Sequence, residues 1–336
     1  MVWNRKIFDK LLEARRNQLE DLVILDLVGV NYQPGCFPIL PKPGSDRGLP
    51  EWVGDGFRAG PTEWAALFFA FELGQQAPSY TIVELGASQG LWSAAFVKYG
   101  LHLKKAPLFA FGVEASEAVN ETLDFWENQN FEFQVIEKNR NLVIQGDSFT
   151  FNWINGAVVT KKGPVKFPRI NITSDNGAST EPETHTGSRS NLVDVLGITP
   201  KDVLSLVASS TEGSLINLLH IDIQGSELEL INSSEGKELL QKSNIVMLGT
   251  HSIEADRVAI SVMAKLGFQL IAIDASKYNY VPQPVLSVDG EQLWIKEELL
   301  ENFSAGNWTD ESPGLDVLAN NFYQQLLRIN QLGVER

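Results

Sequence analysis

The sequence predicts an α/β fold: a doubly wound, mostly parallel sheet of seven strands with an antiparallel edge strand and a helical N-terminal extension. Three observations carry that prediction. Short apolar runs rich in β-branched and aromatic residues alternate with stretches of helical period, the pattern of a parallel sheet covered by helices. The first run, Thr81-Ile-Val-Glu-Leu85, is apolar apart from Glu84 and does not alternate, as a strand buried on both faces requires. It leads into a turn marked by Gly86 and Gly90 and then a helix, the joint at which open α/β sheets bind ligands.

Taken in order, residues 6–22 carry Ile7, Leu11, Leu12, Leu19 and Leu22 among charges, a helix with one wet face. Asn31 to Pro61 is broken by Pro34, Gly35, Pro38, Pro41, Pro43 and Gly44 and reads as a long irregular loop. Thr62 caps an apolar helix that runs to Gly74. After the glycine turn and its helix, residues 107–116 form a second strand ending at Glu114, and residues 116–131 a helix. The stretch to Asp147 is charged and poorly patterned; Phe151 to Val159 is a third strand, and Val165-Lys-Phe167 returns from the Lys161-Lys-Gly-Pro164 turn as a hairpin arm. Asn171 to Arg189 is a polar loop over the sheet end. Ser214 to Ile223 is a fourth strand, with Asp222 at its end, Gly225 in the turn and Glu227 opening the next helix. Residues 245–251 make a fifth strand with a helix over 253–266 behind it; residues 268–273 and 292–296 complete the sheet, the last after the Asp289-Gly290 turn, as an antiparallel edge. Asp316 to Leu332 closes the chain as an amphipathic helix. The domains are therefore 1–61, an extension; 62–300, a cofactor-binding domain; and 301–336, a helical tail.

The chemistry is concentrated at the strand ends. A dinucleotide fingerprint needs G-x-G-x-x-G, but with Gly86 in first place Ser88 and Leu91 stand in the second and third. What remains is acidic-x-G-x-x-x-G, with Glu84, Gly86, Ala87, Ser88 and Gly90 as the floor of a nucleoside pocket. A carboxylate at Glu84 repels a diphosphate and attracts an ammonium, which S-adenosylmethionine carries beside its carboxylate and sulfonium. Glu114, with Ala115 after it, stands where both ribose hydroxyls are accepted. Ala157 is placed on the adenine side. His251, at the end of the fifth strand, is the first candidate for a base, since an ordinary imidazole titrates near neutrality. Asp222 could orient an acceptor hydroxyl, hold the sulfonium end or ligate a divalent metal. His220 shares its strand face and reads as a core histidine.

A net charge of −15 and the absence of any Lys/Arg cluster exclude nucleic acid and acidic membrane surfaces as partners. One cysteine, Cys36, excludes an internal disulfide and a multi-cysteine zinc site, and together with the lack of a signal-like N-terminus it leads to a cytoplasmic expectation. No apolar run is long enough to insert in a membrane. The remaining partners are a small-molecule or glycan acceptor and, through the C-terminal helix, a second copy in a homo-oligomer.

Residues 83–93, Val113-Glu114-Ala115 and His220-Ile-Asp-Ile-Gln-Gly-Ser-Glu-Leu-Glu-Leu-Ile231 together resemble the FkbM family of S-adenosylmethionine-dependent methyltransferases. The third block is similar to that family's K-I-D-x-[EQ]-G-x-E signature, with His220 in place of the lysine; Gly249-Thr-His251 departs from its acidic-x-His strand ending. The likeness covers roughly residues 62 to 296 and includes the Gly177-Ala-Ser-Thr180 loop. It implies the class I methyltransferase, Rossmann-like fold, O-methylation of a hydroxyl on a sugar, glycan or polyketide-like metabolite, and substrate-side roles for Glu227 and Ser179. N-methylation of a small amine, nicotinamide-dependent oxidation and non-catalytic cofactor binding are the alternatives.

Overall fold

The computed structural model describes residues 2–3 and, with short breaks, 66–304; the longest breaks fall at 170–191 and 280–284. The helix of 6–22, the Pro/Gly-rich loop of 31–61, the Gly177–Thr180 loop with Ser179 and the C-terminal helix all lie outside the described residues.

A short β1 (Val2–Trp3) is followed, after helical residues at 66–67 and 69–71, by β2 (Tyr80–Leu85), α1 (Leu91–His102), β3 (Leu108–Glu114) and α2 (Val119–Glu127). Next come β4 (Gln134–Lys138), β5 (Asn141–Gln145), β6 (Phe149–Asn155), β7 (Ala157–Val158), β8 (Pro164–Pro168) and β9 (Leu192–Ile198). The second half holds α3 (Pro200–Ser210), β10 (Ile216–Ile221), α4 (Glu227–Asn232), α5 (Ser234–Gln241), β11 (Ser243–Thr250) and α6 (Ile253–Lys265). It ends with β12 (Phe268–Asp274), the β13 (Lys277–Asn279) and β14 (Val285–Val288) pair, β15 (Gly290–Lys296) and α7 (Glu297–Ser304).

Ten strands join one sheet in the order β1-β12-β15-β11-β10-β2-β3-β6-β5-β4. The pairs β11/β10, β10/β2, β2/β3 and β3/β6 are all parallel. The chain winds outward from β2 through β3 to β6, then crosses to β10 on the other side of β2 and winds outward again to β11. The reversal between β2 and β10 is the switch point of a doubly wound sheet, where adjacent connections leave on opposite faces and open a crevice. The mixed α/β, mostly parallel architecture is the one expected from the sequence.

Alternation along the strands divides the core in two. Ile82, Ala110, Phe151, Leu218 and Ile245 face a layer built on Phe96 and Trp126 from α1 and α2. Val83, Phe111, Leu219 and Val246 face Val203, Leu239 and Met263 from α3, α5 and α6. β2, β10 and most of β11 are buried at every position, which is why the strand runs carry no polar face.

Three expectations are corrected. The antiparallel strand is internal: β15 lies between β11 and β12 and pairs antiparallel with both. Residues 134–145 form a hairpin that extends the sheet past β6; β4 is exposed along its length, so it lacks the apolar pattern of a buried strand. Residues 164–168 pair antiparallel with β9, not with the preceding strand, in a small separate sheet that β7 joins in parallel. The helix after β9 had a readable signal in Thr199-Pro-Lys-Asp202, a reciprocal capping box with proline in the first turn.

Candidate functional site

The turn after β2 is fixed by backbone constraints at both glycines. Gly86 adopts φ +80, and a Cβ there would lie 1.7 Å from the Asp222 carbonyl oxygen; at Gly90, φ is +78 and a Cβ would meet the Phe151 ring at 2.7 Å. These glycines admit a neighbouring strand end and an aromatic ring, where a ligand's approach was the expectation. Ser88 is left-handed at φ 48. The Trp153 indole donates to the Ser88 carbonyl at 2.9 Å and that of Trp126 to the Gln89 carbonyl at 3.2 Å, so two buried tryptophans hold the turn from below. Ala87 is buried, and its methyl occupies the space that a side chain at Gly112 would need.

Glu84 is turned inward, not toward the open end of the sheet where the sequence placed it. It is 2% exposed; one oxygen accepts from the Ser93 amide at 3.0 Å and the Ser93 hydroxyl at 2.7 Å, the other from the Trp92 amide at 3.3 Å. The carboxyl thus caps α1 from inside, and the helix terminus expected to be open is taken by it. Burial pushes its pKa up to about 7, against the lowering effect of those hydrogen bonds. His220 lies beside it, Nδ1 at 3.9 Å from Glu84 Oε1, and burial holds its imidazole down at about 4. It is a core histidine, as read, but among the described residues its Nδ1 has no hydrogen-bond partner.

Glu114 stands at the carboxyl end of the sheet, where the sequence put it. It ends β3 next to the glycine turn, half-buried, accepting from the Ser88 amide at 2.8 Å and the Ser116 amide at 2.7 Å. Each oxygen keeps a lone pair for a further donor. Asn155 ties this corner together by donating to the Glu114 and Ser116 carbonyls at 3.2 and 2.6 Å. Ala115 follows at the strand end, packed on the small sheet's cluster. Ala157 is corrected: its methyl is buried against Phe167 and Val195 in that cluster, because β7 leaves the main sheet to pair with β9.

The other half of the site rises from β10 and β11. The Asp222 amide donates to the Leu85 carbonyl at 2.8 Å, which binds the end of β10 to the glycine turn across the switch point. Behind it Glu227 is fully buried; it accepts from the Ile223 amide at 3.0 Å and the Gly225 amide at 2.9 Å, and stands 2.8 Å from His251 Nδ1. Glu227 therefore touches the imidazole and no open surface, which corrects the substrate-side role expected for it. The other ring nitrogen of His251, Nε2, is 3.4 Å from Asp222 Oδ1 and 3.8 Å from Asp289 Oδ2. Gln224 also donates to Asp222 Oδ1, at 3.0 Å.

Burial alone would lower the pKa of His251, but the bond to Glu227 and the charges of Glu227, Asp222 and Asp289 outweigh it and raise it to about 9. These charges favour the protonated ring, which runs against the expectation that it titrates near neutrality as a base. Asp222 is held above the usual carboxylate range, chiefly by enclosure, tempered because the side chain is 41% exposed, while His251 pulls it back down.

Asp289 was legible only as a turn residue. It reaches the site because β15 runs against its neighbours: Gly290 pairs with Thr250, so the start of β15, not its end, meets the carboxyl ends of the parallel strands. Asp222, Glu227 and His251 offer ligand atoms all within 4.8 Å of one another, a grouping that could hold a metal ion.

No family profile matches the chain. A curated protein of Jannaschia sp. (strain CCS1), described as "Putative methyltransferase", is 25% identical over 283 residues, 81% of this chain and 91% of that protein. Among solved structures, precorrin-6y C5,15-methyltransferase from Geobacter metallireducens GS-15 is 9% identical with TM-score 0.29, over 68% of this chain and 85% of its own. Trm1 from Pyrococcus horikoshii, in complex with S-adenosyl-L-methionine, is 9% identical with TM-score 0.27, over 74% of this chain and 61% of its own. Overlaps this low carry no weight for the fold, which stands on its strand order. No helix of the described residues is long and apolar enough to cross a membrane.

Proposed function

We propose that this chain is an S-adenosylmethionine-dependent methyltransferase of the FkbM kind its sequence resembles, acting on a hydroxyl of a sugar, glycan or polyketide-like small molecule. One observation carries the reading. The bond from the Asp222 amide to the Leu85 carbonyl joins two half-sites at the switch point. On one side are the glycine turn and the Glu114 carboxylate; on the other, Asp222, His251 and Asp289. The first suits a nucleoside with ribose hydroxyls, and the second a polar acceptor held at its far end. The relative's description supports methyl transfer, and the missing dinucleotide fingerprint argues against a nicotinamide cofactor.

When bound, S-adenosylmethionine supplies a methyl group activated by its sulfonium. The chain's residues do the rest: Glu114 accepts the ribose hydroxyls, Asp222 orients the acceptor oxygen and takes its proton, and Glu227 fixes the ring of His251. Asp222 would hold that proton as the acceptor oxygen gained the methyl group and the carbon–sulfur bond broke. The three carboxylates around His251 equally favour a cationic amine, so N-methylation is the second reading.

Calorimetry with S-adenosylhomocysteine tests the cofactor side. We expect micromolar-range binding and at least tenfold weakening in Glu114→Ala, which lies at an accessible strand end and should not disturb the core. Equal affinity in that variant refutes the site, and nicotinamide cofactor binding in its place refutes the class.

A further inference from the structure

We propose that the outer face of the β8/β9 pair is a docking surface for a second copy of this chain, packed about a two-fold axis that runs along the strands. The inference is independent of the methyltransferase reading. The register decides which residues form that face. Val165 pairs with Val195 and Phe167 with Val193. These side chains point inward, where Phe167 and Val195 are buried with Ala157 and pack on Ala115, the residue after Glu114. The alternate pairs, Pro164 with Leu196, Lys166 with Asp194 and Pro168 with Leu192, therefore stand on the opposite face.

Composition is the first argument. A sheet with one face on the core and the other in water carries polar residues on the wet side. Here that side holds two leucines, two prolines and one ion pair. Leu192 and Leu196 are 48% and 49% exposed, and each lies opposite a proline across the ladder, so two apolar blocks flank the charges. The prolines at both ends of β8 also blunt its free edge against strand addition, which leaves the face for contact.

Charge is the second argument, and it selects the occupant. The chain carries −15 overall, which opposes self-association. This face is locally neutral: Lys166 Nζ is 2.8 Å from Asp194 Oδ1, and both side chains are 62% exposed. An isologous contact sets the patch on itself. With the two-fold parallel to the strands and midway between stacked sheets, β8 of one copy lies over β9 of the other at the same level. Asp194 then meets Lys166 of the partner subunit, Leu192 meets Pro168 of the partner subunit and Leu196 meets Pro164 of the partner subunit. A two-fold across the strands would instead stack like charges. The ion pair thus fixes one orientation, in which the flanking apolar blocks leave water, and the strands stay nearly aligned as in face-to-face sheets. So small a patch gives weak, reversible pairing.

Sedimentation velocity of the full chain over a concentration series tests the proposal. We expect a monomer–dimer equilibrium in the unaltered protein, weakened at least tenfold by Leu196→Glu, Lys166→Glu or Asp194→Lys. All three positions are exposed, and circular dichroism checks that the fold is kept. Lys166→Glu makes the face acidic and Asp194→Lys makes it basic, so each variant alone stays monomeric. An equimolar mixture of the two should regain the dimer, which repair of the ion pair within one chain cannot explain. An unaltered protein that remains monomeric throughout, a dimer of equal strength in Leu196→Glu, or a mixture that stays monomeric overturns the proposal.

Discussion

Replacing Glu84 with glutamine separates two influences that compete at one buried carboxyl. Three hydrogen bonds from Ser93 and Trp92, at a helix N-terminus, favour the ionised form. Burial favours the neutral form and wins, carrying the pKa from 4.5 to about 7. A folded-state pKa above the unfolded one gives stability that is complete below the unfolded value and is lost as pH rises through the folded value. Between pH 4.5 and 7 the protein should therefore lose on the order of 3 kcal/mol through this group, at about 1.4 kcal/mol per unit. His220 works in the opposite direction: its pKa is depressed to about 4, so its contribution is present above 6.5 and lost as pH falls. The two partly cancel in the unaltered chain. Glu84→Gln keeps the His220 contribution and deletes the other, so the difference between the two proteins isolates Glu84. Urea unfolding at several pH values measures it: the stability of the unaltered protein relative to the variant should fall by that amount from pH 4.5 to above pH 7. A flat difference means an ordinary carboxyl. A difference that rises with pH means that the helix terminus and hydrogen bonds outweigh burial, and the reasoning fails.

Thr199→Ala removes the capping box of α3 and should cost about 1 kcal/mol in thermal or urea unfolding, with product binding unchanged. Trp153→Phe keeps the ring in the core but deletes the donor to the Ser88 carbonyl; we expect about 1 kcal/mol of lost stability and several-fold weaker S-adenosylhomocysteine binding by calorimetry. Gly90→Ala forces a side chain at φ +78 against Phe151 and should lower stability by about 2 kcal/mol or more, read as a shift in the urea midpoint.

The glycine turn, Glu114 and Asp222 were legible because each sits at the end of an apolar run, where the change from core to polar sequence is abrupt. His251 was placed correctly but its protonation was not, since three carboxylates from separate elements converge on it only in the folded chain. Glu84 was misread for a related reason: a carboxylate inside a strand looks available until the helix that follows folds back and offers Ser93 and Trp92. Asp289 carried no signal beyond its turn, because its place depends on β15 entering the sheet from the opposite direction. The β4/β5 hairpin escaped notice since an exposed edge strand has no apolar pattern to read.

The register at the sheet edge also dictates an order of events during synthesis. Val2 pairs with Ile273 and Trp3 with Ala272, so β1 must wait for β12 before it finds its place. Asp289 arrives later still, with β15. A nascent chain can build the glycine turn and Glu114 early, yet the carboxylate cluster around His251 stays incomplete until almost the whole described chain has left the ribosome. The acidic surroundings of His251 are thereby withheld from partly made molecules.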